Sequence, residues 1–181
     1  LLTTVNDILD LATVDAGITD LEVDEVDVAA LFASVEQSFA GKFAESGVEL
    51  KTAVGSGISN FRADGQRLRQ VIGNLISNAV NHAPEGSAVN LSAKLDGSDV
   101  VISIQDEGPG IPSDVLASVF DRFVAHGNGR RRGGAGLGLS IVKGLVELHK
   151  GSVSIQSNAE SGTRVDCRFP ADPAKFRQAA E

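Results

Sequence analysis

The segment from Asp64 to Ala83 constrains this chain more than any other. Leu68, Val71, Ile72, Leu75, Ile76, Ala79 and Val80 recur at intervals of three and four over more than three turns, the mark of an amphipathic helix with one buried stripe. Pro84, Glu85 and Gly86 end it. Such a helix needs an apolar surface to cover, and the next residues supply one. Ala88 to Leu95 and Val100 to Gln105 alternate as strands and are separated by Asp96-Gly97, a hairpin signal. Further strands are expected within Asp20 to Asp27, at Val48 to Val54, Ser152 to Gln156 and Arg164 to Phe169. Helices are expected at Val28 to Phe43, in a short stretch reaching Phe120 and Phe123, and from Leu137 to Lys150. Hairpins rather than strict strand-helix alternation predict an α+β, two-layer sandwich. Residues 1–12 carry a helical stripe of their own that starts abruptly, like the end of a cut helix.

With 181 residues, 42% of them hydrophobic, the chain has room for one ordinary core. Its 16 Lys and Arg against 24 Asp and Glu leave a net charge of -8. Nonspecific nucleic-acid binding is disfavoured, and a phosphate-rich ligand would have to be held by local geometry rather than by a global positive field. A lone cysteine, Cys167, allows neither an internal disulfide nor a cysteine zinc cluster and reads as packing. No apolar run is long enough to cross a bilayer and no signal peptide is visible, so no direct membrane contact is expected. The absence of Met reads as a piece cut from a longer chain.

Three elements could carry chemistry. Along one edge of the Asp64–Ala83 helix lie Arg67, Asn74, Asn78 and Asn81. Asn is a mediocre helix former, so a row of Asn is either a solvated face or a set of amide oxygens able to help hold a hard cation such as Mg²⁺. Asp106-Glu107-Gly108-Pro109-Gly110 follows an apolar strand. It is an ordinary turn, or a carboxylate that accepts a hydrogen bond from an exocyclic amine while glycine backbone approaches a flat ring. Gly133 to Leu139 opens onto a helix just after Arg130, Arg131 and Arg132, where unsatisfied N–H groups and the helix dipole favour phosphate. Neither a Walker A loop nor a dinucleotide fingerprint fits that spacing. The histidines His82, His126 and His149 read as ordinary surface or partly buried residues.

In order, RLRQVIGNLISNAVNHAPEG, DEGPGIP, VFDRF, GGAGLGLSIVKGLVELHKG and SGTRV resemble the N, G1, F and G2 boxes and final Gly-Thr of the ATP-binding domain of sensor histidine kinases. That family shares the Bergerat fold with gyrase, Hsp90 and MutL. The resemblance covers roughly residues 20–170, and it extends to the kinases of the alphaproteobacterial cell cycle. It implies a mixed, mainly antiparallel sheet with helices on one face. Residues 1–17 resemble the end of the second dimerisation helix, 18–170 the catalytic domain, and 171–181 are left as a tail.

Residue by residue, the resemblance implies Mg²⁺ binding by Asn78, with Asn74 one turn earlier organising the phosphates or the attacking group. Asp106 would read adenine, with Gly108, Gly110, Ile111 and Thr163 around the ring. Gly134, Gly136, Leu137 and Gly138 would form the phosphate loop, Val124 to Gly133 the ATP lid, and Phe120 and Phe123 the F box. Asn81 and His82 stand where relatives often carry Lys or Arg and then an aromatic, which removes one positive group near the phosphates. The implied cofactors are ATP and Mg²⁺, the implied activity histidine-type protein kinase, and the implied partners a response-regulator receiver domain and a second copy joined through the dimerisation helices. The implied setting is cytoplasmic. A degenerate kinase acting as an allosteric scaffold for a regulator or another kinase would share every one of these residues.

Overall fold

The computed structural model describes residues 21–121 and 136–171. In chain order the elements are β1 (Asp24–Asp27), α1 (Val28–Ser46), β2 (Glu49–Val54), β3 (Asn60–Ala63), α2 (Gly65–His82), β4 (Ala88–Asp96), β5 (Asp99–Gln105), α3 (Ser113–Leu116), α4 (Gly138–Leu148), β6 (Ser152–Asn158) and β7 (Gly162–Pro170). Five strands form one sheet in the order β2-β4-β5-β7-β6. The β2–β4 pair is parallel and the other pairs are antiparallel, so the sheet is mixed and mainly antiparallel. β1 and β3 pair antiparallel in a separate two-stranded ribbon.

The period-two pattern of the strands gives the sheet two unlike faces. In register across β4, β5, β7 and β6, Leu91, Ile104, Val165 and Ile155 line up on one face, followed by Ala93, Ile102, Cys167 and Val153. All belong to the core or pack against it. The opposite face carries Ser92, Ser103, Asp166 and Ser154 in register. There Ser103 Oγ donates to Asp166 Oδ1 (2.5 Å) and Arg164 Nε donates to the same oxygen (2.9 Å). Arg168 pairs with Asp96 and Asp99. The helices belong on the apolar face.

α2 lies on that face as its periodicity requires. Asp64 starts it by accepting from the Gln66 and Arg67 N–H groups (3.0 Å each), and the seven residues of the apolar stripe are all buried. It stops at Ala83, which is extended as a residue before proline must be. Deleting one such side chain, as in Ile72→Ala, should cost about 2–5 kcal/mol. Lys42 ties α1 to α2 by donating to Ser77 Oγ (2.7 Å).

Several details differ from the sequence reading. β3 is a strand that no turn signal announced, because its four residues pair only with the equally short β1. The β4–β5 turn is Gly97-Ser98, one residue later than expected, since Asp96 and Asp99 still pair. The short helix before Phe120 is a single turn, α3. The expected helix in residues 1–12, the dimerisation-helix end at 1–17, Phe123 and all of the tail except Ala171 lie outside the described residues. Among the described residues no helix is long and apolar enough to cross a membrane.

His149 is the largest correction. It is fully buried rather than a surface or partly buried residue. It follows α4, and its ring packs edge-on against Phe169. Nε2 lies 3.1 Å from the Asp64 N–H, which can only donate, so that nitrogen accepts and the proton sits on Nδ1, bonded to the Leu145 carbonyl (2.7 Å). Burial pushes the His149 pKa down, partly opposed by the Leu145 bond and by Asp64. The unfolded chain therefore takes up this proton near the ordinary value of 6.5 while the folded chain takes it up only at lower pH. Stability from this group is full above about pH 6.5 and is lost as pH falls through the window below it. Denaturant midpoints measured from pH 7.5 to 5 should fall in the unaltered protein and fall less in His149→Gln.

Candidate functional site

Asp106 follows β5 and is 7% exposed. Its Oδ1 accepts from the N–H groups of Gly108 (2.8 Å) and Thr163 (3.4 Å), while its own N–H donates to the Thr163 carbonyl (2.9 Å). No hydrogen bond within the described residues reaches Oδ2, so one side of a buried carboxylate is left for an incoming donor. Burial raises the Asp106 pKa, and the Gly108 and Thr163 bonds and nearby His82 oppose the rise. The turn around it is built on two glycines. Gly110 (φ 74°) and Gly162 (φ 73°) both occupy the left-handed region, and a Cβ would collide with the Asn158 carbonyl at the first and the Asp106 carbonyl at the second.

The β6–β7 hairpin fixes this turn through Ser157. Its Oγ accepts from the Ile111 N–H (2.8 Å) and shares a hydrogen bond with Thr163 Oγ1 (2.8 Å). Sequence reading missed Ser157, because one Ser on an alternating strand carries no signal of its own. It found Thr163 and Ile111 without the group that joins them.

α2 and α4 form the other wall. A Cβ on Gly138 would sit 3.8 Å from Asn78 Nδ2, which puts the start of α4 against the amide edge of α2. The Asn78 side chain makes no hydrogen bond within the described residues, and Asn74 Nδ2 is buried with no partner. An orphaned buried amide is costly in water-excluded surroundings and needs a reason to persist. The first turn of α4 has no side-chain cap, so its N–H groups are open to an anion. The wall meets the acidic turn where the His82 carbonyl abuts Gly108, 3.0 Å from where a Cβ would be.

The structure thus gathers Asp106, Gly108, Gly110, Ile111 and Thr163 around one turn and sets Asn78 against Gly138, with Asn74 one turn before Asn78 on α2. Gly136 and Leu137 directly precede α4, while Asn81 and His82 are exposed at the end of α2. Arg67, grouped with the Asn row by helical phase, lies near the opposite end of α2 and donates to Gln70 (3.1 Å). Arg130, Arg131, Arg132 and Gly134 lie outside the described residues. Among the described residues no three His, Cys, Asp or Glu side chains gather to hold a metal. A cation at Asn78 would take most of its ligands from a bound phosphate or water. A groove at the start of α2, lined by Glu22, Asp24, Glu25, Asp27 and Asp64 against a single cation, Arg69, has the wrong net charge for phosphate.

The family of histidine kinase-, DNA gyrase B- and HSP90-like ATPases matches residues 63–173, which take in α2, the acidic turn and α4. The chain belongs to this family. Within it, the chain is an ATP-binding domain of the sensor histidine kinase kind. It is 38% identical over 92% of its length to the sensor protein DivL of Caulobacter vibrioides, and that match covers 21% of DivL. The full-length structure of ShkA in complex with AMPPNP superposes with a TM-score of 0.84 at 34% identity, over 93% of this chain and 35% of ShkA. The catalytic domain of the histidine kinase ThkA, in a nucleotide-free form, gives 0.74 at 25% identity over 84% of this chain and all of that one. The chain spans about a fifth of DivL and a third of ShkA.

Burial of Asp106 costs stability while leaving Oδ2 open to a ligand, which gives its substitution two opposite expected effects. Asn at this position keeps an oxygen for the Gly108 and Thr163 N–H groups and removes a buried charge. Asp106→Asn should therefore raise the thermal midpoint while lowering adenine-nucleotide affinity about ten- to a hundredfold, the range for a hydrogen bond to a charged acceptor. Calorimetry and thermal melts on the same preparation check both signs.

Proposed function

We propose that this domain binds ATP with Mg²⁺ and donates the γ-phosphoryl group to a side chain on a dimerisation helix, from which an aspartate of a response-regulator receiver domain takes it. One arrangement carries the reading: the turn of Asp106, with an open carboxylate oxygen, abuts the end of α2 at His82, one turn after the Asn78 amide that lies against the uncapped start of α4. Similarity to ShkA, whose structure is a complex with AMPPNP, supports it.

Asp106 accepts the exocyclic amine of adenine, with Gly108, Gly110, Ile111 and Thr163 around the ring. The N–H groups of Gly134, Gly136, Leu137 and Gly138 take phosphate oxygens, and Asn81 and His82 flank the chain of phosphates. Asn78 holds Mg²⁺, which supplies charge neutralisation on the phosphates. Asn74 orients the reacting end. Arg130, Arg131 and Arg132 add positive charge near the γ-phosphate. In the transfer, the bond from the γ-phosphorus to the bridging oxygen breaks, a bond to the acceptor atom forms and ADP leaves. The chain contributes positioning and electrostatics. In the parent protein a second copy joined through the dimerisation helices completes the assembly.

Asn81 and His82 favour a second reading, a kinase-like domain kept as a scaffold, because an uncharged Asn replaces a cation near the phosphates. Joining the chain to its dimerisation helices and following phosphoryl transfer separates the two.

The isolated chain should bind ATP and ADP in the presence of Mg²⁺ without phosphorylating itself. Calorimetry that detects no heat up to millimolar nucleotide would sink the reading. Asn78→Asp should reduce mainly the Mg²⁺-dependent part of the affinity. Replacing Arg130, Arg131 and Arg132 by Ala should weaken ATP more than ADP, since the additional charge of ATP lies at the γ position. Equal losses for the two nucleotides would remove these arginines from the site.

A further inference from the structure

His149 sits at the opposite end of the α2–α4 pair from Asn78, and it joins the two helices. α2 and α4 run antiparallel: the residue after α4 meets the N-cap of α2, and the first residue of α4 meets Asn78. From Asp64 to Asn78 is about 21 Å along α2, and from His149 to Gly138 about 17 Å along α4. One imidazole closes the pair at one end. Its Nδ1–H satisfies a carbonyl of the last turn of α4, and its Nε2 takes the N–H of the residue that caps α2. Phe169 of β7 holds the ring edge-on, and Phe61 of β3 packs on Phe169, so the ring has little room to turn.

We infer that His149 is a positioning residue for nucleotide binding: the bond from the Asp64 N–H to Nε2 sets the angle between α2 and α4 and so the separation of Asn78 from Gly138. A small tilt about this joint is magnified at the far end, where the N–H groups of α4 and the amide of Asn78 must both reach the same phosphates. The ring's two bonds are unequal in this respect. The Leu145 bond stays within α4 and finishes that helix, whereas the Asp64 bond crosses to α2 and fixes one helix against the other. This inference rests on the nucleotide-binding reading above.

Two substitutions separate positioning from simple support. Gln places an acceptor near where Nε2 lies and can keep the Asp64 bond while losing the Leu145 bond. Asn places a donor near where Nδ1 lies and can keep the Leu145 bond, but it is too short to reach Asp64. Each removes one buried hydrogen bond, so both should melt earlier than the unaltered protein. Affinity for Mg²⁺-ADP, measured well below both melting points, should stay within about twofold in His149→Gln and fall about tenfold in His149→Asn. Equal affinities in the two variants would overturn the inference, whatever their melting points. If the unaltered chain failed to bind Mg²⁺-ADP, the nucleotide reading would fail instead, so the two failures are distinct.

A second measurement needs no variant, because coupling between two sites is reciprocal. Under conditions where the Asp64 amide exchanges with solvent faster than the amides of β5, saturating Mg²⁺-ADP should slow its exchange about tenfold. An Asp64 exchange rate indifferent to nucleotide would overturn the inference.

Discussion

The burial of α2 on the sheet is the contact on which the rest of this domain depends. Seven apolar side chains point one way, into Leu91, Ile102, Ile104 and their neighbours. Once they do, helical phase leaves Asn78 no choice of direction, and it faces the start of α4. A rotation of α2 that turned Asn78 away would drag Ile72 and Ile76 out of the core. Burial of one such side chain is worth about 1.5–3 kcal/mol. The amide edge is therefore held by hydrophobic contacts that never touch a ligand.

The acidic turn is held differently, by backbone. Asp106 lies at the end of β5, next to β7, so the register that pairs Gln105 with Arg164 also brings Thr163 alongside Asp106. The two exchanges between Asp106 and Thr163 extend the ladder by one step and spend a side-chain oxygen on it. Burying the carboxylate raises its pKa and costs stability at neutral pH. Asn here would keep an oxygen for the Gly108 and Thr163 N–H groups without that cost, so the charge of Asp106 adds nothing to the stability of the turn.

Long, strongly periodic elements were legible in the sequence because one pattern fixed both their type and their buried face. α2 and the β4–β5 hairpin follow from that pattern nearly to their last residues. β3 was not legible, since four residues, Asn60 to Ala63, hold too few periods to stand out from a loop. The same limit hid His149. The sequence of α4 and Lys150 offers a polar residue at a helix end, which usually faces water, and only the packing of α4 against the N-cap of α2 buries it. Ser157 was hidden for another reason: its partners, Ile111 and Thr163, are brought to it by the β6–β7 pairing rather than by sequence proximity. Motif residues could be read one at a time, while the residues that hold the motifs together needed the fold.

The charge of the chain sets the terms on which such a site can work. At a net -8 the long-range field repels a nucleotide, so attraction must begin within about a Debye length, roughly 8–10 Å in physiological salt. Two of the basic side chains are committed elsewhere. Arg164 is bound to Asp166 and Ser103, and Arg168 to Asp96 and Asp99, both on the polar face of the sheet, the side away from α2. Lys42 reaches α2 but spends its ammonium on Ser77, and burial lowers its pKa. What the start of α4 offers an anion among the described residues is neutral: its uncapped N–H groups, with the side-chain amide of Asn78 beside them. Neutral donors hold an anion by direction rather than by net charge, and direction is what the packing of α2 against α4 supplies. The precision of that packing therefore decides how well these neutral donors converge, which added positive charge alone could not do for them.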